Sequence, residues 1–207
     1  MSRTIPLAAL AMGLAACSPP GTDEITLTPV PDEEMVTALS APVAQAFTAA
    51  LQAELAAALA EGGPVQAVGV CHEAAPRIAA EQSAASGAEV RRVSDRNRNP
   101  DGRVGDDLAP YYAELAAQPL VDGQPATRIW ASGSGDDERV HYLSAIPMRE
   151  QPCGTCHGSD IDPELQARIA ELYPDDLPTG FVAGELRGAL LVSWPAESID
   201  WVAPRRD

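Results

Sequence analysis

Residues 127–145 read Thr-Arg-Ile-Trp-Ala-Ser-Gly-Ser-Gly-Asp-Asp-Glu-Arg-Val-His-Tyr-Leu-Ser-Ala. They form two strand-like segments, Thr127–Ala131 and Arg139–Ala145, around the turn-rich stretch 132–137. Downstream, Gly188–Trp194 (Gly-Ala-Leu-Leu-Val-Ser-Trp) is the clearest buried strand, and upstream Glu89–Val93 reads as another. A polar loop over 94–103 and a short helix over 107–117, irregular at its start because of Pro110, lie between. Asp162-Pro163 opens a helix that ends near Tyr173-Pro174. Toward the amino end, Phe47, Leu51, Leu55 and Leu59 recur every fourth residue, a helical stripe. Ser40 is placed to cap that helix, Pro42 sits in its first turn, and Gly62-Gly63-Pro64 ends it. A second helix covers about 65–86, with Val70, Cys71, Ala74, Ala75 and Ile78 apolar, a kink expected at Pro76 and Gly87 closing it. The fold class this implies is α+β: several antiparallel strands with helices to one side or end.

The chain has 207 residues, enough for one or at most two domains and for a real core. It contains no lysine, so all 14 basic residues are arginine; against 30 acidic residues the net charge is −16. That balance argues against a nucleic-acid partner, which needs a basic face to displace counterions. It argues equally against docking on anionic lipid through protein charge. No internal run of apolar residues approaches the ~18 needed to span a bilayer.

Residues 1–16 carry one arginine ahead of a short apolar stretch, a secretory signal rather than a spanning helix. The ending Leu14-Ala-Ala-Cys17 matches the bacterial lipobox pattern, which implies cleavage before Cys17 and lipid on its sulfur. The alternative is an ordinary signal with Cys17 incidental. Ser18 rather than an acid after the lipid site leans toward the outer membrane. Residues 17–37, rich in Pro, Thr and acids, then read as a flexible tether, and 38–207 as the folded domain.

The cysteines are numbers 17, 71, 153 and 156. Cys153-Gly-Thr-Cys156-His157 is the c-type haem attachment pattern: two thiols add across the porphyrin vinyl groups, and the adjacent imidazole reaches the iron. Export strengthens this reading, because bacterial attachment happens outside the cytoplasm. A redox dithiol belongs in a βαβ context that is absent here. A zinc site completed by Cys71 would need Cys156 and its neighbour His157 on one ion. With Cys17, Cys153 and Cys156 committed, Cys71 is left without a disulfide partner. It is either a buried core cysteine or a sulfur ligand on the far side of the iron. Competing ligands are weaker. His72 lies about 100° further round the helix, His141 sits in a strand, and Met148 is only five residues before Cys153. Five of the 14 arginines (Arg91, Arg92, Arg96, Arg98, Arg103) fall within 13 residues. They are either a solvated loop or contacts for haem propionates, with Arg91, Arg92 and Arg98 the candidates.

The ordered set Cys71-His-Glu-Ala-Ala-Pro-Arg77, Arg91-Arg-Val-Ser94, Arg98-Asn-Pro100, Cys153-Gly-Thr-Cys-His-Gly158 and Gly184-Glu-Leu-Arg-Gly188 resembles the Tll-like haem domain family. The likeness covers about residues 40–195 and departs from the family after Pro100, where this chain reads Asp-Gly-Arg-Val-Gly105. It implies a PAS-like fold with a five-stranded antiparallel sheet, flanking helices and one covalent haem c. It further implies histidine-plus-cysteine ligation, carried over as His157 and Cys71, with Cys153 and Cys156 as attachment points. The expected function is a membrane-tethered periplasmic c-type haem protein for redox or gas sensing, or for one-electron transfer to an unknown partner protein. A haem enzyme of sulfur-compound oxidation is the alternative, although no acid–base pair or nucleophile constellation is visible. A structural role would leave the attachment pattern unexplained.

Overall fold

The computed structural model describes residues 32–174 and 178–199; the signal segment, Cys17 and most of the expected tether lie outside these residues. Elements follow in the order α1 (Glu33–Ser86), β1 (Glu89–Val93), α2 (Ala109–Ala117), β2 (Leu120–Val121), β3 (Gln124–Pro125) and β4 (Thr127–Ser132). They continue with β5 (Arg139–Pro147), α3 (Cys153–His157), α4 (Pro163–Leu172) and β6 (Leu186–Pro195). The protein is α+β, with an antiparallel four-stranded sheet in the order β1-β6-β5-β4 and a separate β2–β3 hairpin. The five-stranded sheet implied by the resemblance is therefore corrected to four strands plus the hairpin among the described residues. That hairpin turns at Asp122-Gly123, both with positive φ.

α1 is two helical segments joined at Gly62-Gly63-Pro64, where the first ends as its sequence implies, with Gly63 at φ 70° and ψ −166°, a conformation open essentially to glycine alone. The second segment folds back on the first: Arg77 and Glu54 pair at 2.5 Å, and Phe47 shares a core cluster with Ala74 and Ile78. Pro64 then occupies the first turn after the bend, where its missing N–H costs nothing, and Pro76 is tolerated inside the helix. The start also differs. Asp32 caps the helix, accepting from the Met35 amide at 2.8 Å, so residues 33–37 of the expected tether are helical. Ser40 is no cap: fully buried, it accepts a hydrogen bond from Trp194 Nε1 at 2.9 Å.

Helices cover both faces of the sheet, not one. On one face Val36, Ala44, Phe47, Ala74, Ala75 and Ile78 of α1 pack on Val90, Val140, Tyr142, Leu190, Val192 and Trp194. On the other, Leu108, Tyr112 and Leu115 pack on Val93, Trp130, Leu143, Ala189 and Leu191. This is why β6 is apolar nearly throughout: it is central and buried on both sides. By length and composition alone α1 could cross a membrane, since an 18-residue window reaches a mean hydropathy of 1.3. Single polar residues break the apolar run but are averaged away by the many alanines around them. The same helix supplies much of the core.

Candidate functional site

The site lies where the two halves of α1 meet the open end of the sheet. Two adjoining cavities, of about 210 Å³ and about 130 Å³, share Cys71, Arg92, Arg98, His157 and Arg187 in their walls. The inner one is apolar: Phe47, Leu51, Leu55 and Leu59 form one wall, and Ile146, Cys153 and Cys156 line the rest. The helical stripe read from the sequence is thus the wall of a cleft. The outer cavity is the more polar of the two, edged by Arg91, Ser94, Asn97, Asn99 and Asp101 against Ala75, Pro76 and Ala79 of α1.

The attachment pattern folds as the one-and-a-half-turn helix α3. Within it His157 is buried, and its Nδ1 lies 2.9 Å from the Pro178 carbonyl oxygen. A carbonyl only accepts, so Nδ1 carries the proton and Nε2 is the nitrogen left for a metal. Burial first, then the Arg187 and Arg98 guanidiniums, hold the imidazole well below its ordinary pKa, hence neutral and fit to coordinate. Backbone bonds fasten the covering strap: Phe181 N to the His157 carbonyl at 3.0 Å and Gly180 N to Gly158 O at 2.9 Å. Cys153 and Cys156 are free thiols, and burial, followed by the nearness of Cys71, pushes the Cys156 pKa up, with Arg98 opposing. Cys71 is also free and half-buried, and it lines both cavities. It is therefore not a core cysteine packed away from the cleft.

The competing ligands fall elsewhere. His72 is exposed and meets the edge of Tyr173, ring centroids 5.1 Å apart. His141 is a satisfied histidine on the far face. It stacks on Trp130 at 4.8 Å and is held between Ser132 Oγ at 2.7 Å and Ser193 Oγ at 2.9 Å. Met148 is buried and lines neither cavity. Among the described residues no three His, Cys, Asp or Glu side chains converge as a metal-ion cluster.

The arginines divide. Arg92 and Arg98 line both cavities; Arg98 is buried, donates to the Cys156 carbonyl at 3.2 Å and lies over the Tyr173 ring. Arg91 touches only the outer cavity, is exposed and faces Glu89 at 3.7 Å. Arg96 stacks on Phe181 at 3.4 Å and donates to Thr179 O, so it steadies the strap rather than the cleft. Arg103 lines neither cavity. The residue that sequence reasoning missed is Arg187, 5% exposed in β6, with a buried Nε that has no hydrogen-bond partner. Burial first, then Arg92 and Arg98, push its pKa down to about 9, so it keeps its charge at neutral pH. A lone arginine in the apolar run of the last strand was the available signal. Apolar walls beside two thiols, a neutral imidazole with one nitrogen free, and a buried cation lacking a partner together fit a haem with acidic side groups.

The Tll0287-like family matches residues 26–195. The chain belongs to that family. Among solved structures it is similar to the "Crystal structure of the cyanobacterial heme-protein Tll0287", at 29% identity over 61% of this chain and 71% of the other, with a TM-score of 0.48. No curated protein matches.

Proposed function

We propose that this member of the Tll0287-like family is a c-type haem protein on a PAS-like scaffold, with one haem held covalently by Cys153 and Cys156. His157 and Cys71 would hold its iron. The observation that carries the reading is that all four side chains line one cleft although Cys71 stands 82 positions before Cys153 in the chain. Arg92 and Arg98 flank the same cleft. Bound there, the haem supplies one-electron chemistry and, when a ligand leaves, a place for a diatomic gas. The protein's own part is to keep His157 neutral and oriented, to bring a sulfur across the cleft from it, and to exclude water along the Leu51–Leu59 wall.

An anionic sulfur ligand favours ferric iron and lowers the reduction potential. Redox or gas sensing, or one-electron transfer to a partner protein, follows from that chemistry. The Leu14-Ala-Ala-Cys17 pattern supports lipid anchoring to a bacterial membrane on the periplasmic side. The deciding experiment is an optical spectrum of purified protein, ferric and ferrous, with and without CO, beside its intact mass. Colourless material of bare polypeptide mass, from a host with working cytochrome maturation, ends the haem reading. With haem present, a Soret shift on adding CO to the reduced form assigns sensing, and an unchanged band assigns electron carriage.

A further inference from the structure

Arg187 is an odd residue for its position. β6 is a central strand, apolar on both faces, and strict alternation would send Arg187 the same way as Ala189 and Leu191, onto the α2 face. The ladder breaks there. Ile146 pairs with Gly188 and Pro147 with Leu186, so Arg187 has no opposite residue on β5. A bulge of this kind re-aims a side chain, and here it turns Arg187 into the cleft, where it lines both cavities. The next residue makes the arrangement possible: a Cβ on Gly188 would stand 2.8 Å from the Val93 carbonyl oxygen. Ser94 then pins the bulge by donating from Oγ to the Arg187 carbonyl at 3.1 Å.

So placed, the Arg187 guanidinium has Arg92 and Arg98 for neighbours, like charges that it would avoid unless an anion stood between them. Among the described residues neither Arg187 nor Arg92 has a carboxylate within ion-pair distance. The buried Arg187 Nε has no hydrogen-bond partner either. The more polar cavity beside it is not lined by Cys153 or Cys156, which line only the other. A haem whose vinyl side is at those cysteines would have its carboxylates toward this arginine-edged side. The geometry points to Arg187, with Arg92 and Arg98, as a buried seat for one haem propionate, held ionised inside the protein rather than at its surface. This rests on the haem reading above and adds which residue anchors the acidic side of the group.

The test uses the full chain with Cys153→Ala and Cys156→Ala, titrated with ferric haem and with its dimethyl ester, which lacks the carboxylates. With Arg187 present the diacid binds at least about tenfold tighter than the diester, the scale of a hydrogen bond to a charged group. Arg187→Met brings the two within about threefold, and Arg187→Lys restores part of the gap. Equal binding of diacid and diester by the Arg187 chain, or a preference that survives in Arg187→Met, overturns the seat. If the double variant does not fold, the covalent holoprotein decides through the infrared carboxylate stretch of ¹³C-labelled propionates. That band shifts in Arg187→Met and returns in Arg187→Lys; a band unmoved by Arg187→Met overturns the proposal. Failure of wild-type protein to carry any haem is a different result, and it removes the haem reading as well.

Discussion

Two histidines show how burial assigns roles to single residues. His157 and His141 are both held neutral, but only His157 faces the cleft; His141 is locked between two serine hydroxyls. His141 carries a clear pH signature. Burial lowers its pKa to about 4 from the ordinary 6.5. Between those values the unfolded chain binds a proton that the folded chain refuses, so stability falls as pH drops from 6.5 toward 4, by up to about 1.4 kcal/mol per unit. His141→Gln can bond both serines without titrating. Urea midpoints at pH 7 and 4.5 are expected to diverge more for wild type than for this variant, and equal divergence rejects the assignment. On the proposed haem reading, Cys71→Ala is expected to keep the haem but to change the ferric spectrum and raise the midpoint potential; an unaltered spectrum refutes ligation by Cys71. His157→Ala lowers the yield of haem-loaded protein, measured as the ratio of Soret to protein absorbance. The Cys-x-x-Cys-His pattern stands out in the sequence because it is local, five consecutive residues that fold as α3. Arg187 was not, because its role depends on a break in strand register that local sequence does not display.

Sequence reading of the elements succeeded where contacts are local. β1 was read over the span the structure gives it, and α4 starts at its Asp162-Pro163 signal, with Asp162 Oδ1 accepting from Glu164 N at 2.9 Å. It faltered where tertiary contacts decide. Ser40 looked like a cap by chemistry, yet it serves Trp194, which lies 154 positions away. Gly62-Gly63-Pro64, by contrast, ends the first helical segment as its composition implies, and α4 packs on the second segment at Val65 and Val68. The bend matters to the site, since it joins the leucine wall to the segment bearing Cys71. Gly63→Ala should cost about 1–3 kcal/mol, the strain of a side chain in that backbone region. Thermal unfolding of the variant reads this directly, and an unchanged midpoint shows that the bend relaxes freely.

The molecule as a whole is strongly acidic, with a net charge of −16, yet four of its 14 arginines (Arg91, Arg92, Arg98 and Arg187) line one cleft. Composition thus revealed the basic cluster but not which of its members turn inward. Anchoring is tested at this scale: Cys17→Ala should move the protein from the membrane fraction to the soluble fraction while its visible spectrum stays the same. A variant that remains membrane-bound removes the lipid assignment. The sheet order β1-β6-β5-β4 sets the timing of assembly. A polypeptide emerges amino end first, yet β1 has only β6 beside it, the last of the described strands to appear. Until Leu186 and the residues after it arrive, the middle of the sheet is missing and β1 has no strand beside it. The thiols at 153 and 156 are likewise made before Arg187, which shares their cleft. On the proposed haem reading, a chain halted short of the final strand would present both sulfurs to a maturation apparatus while the sheet is still incomplete.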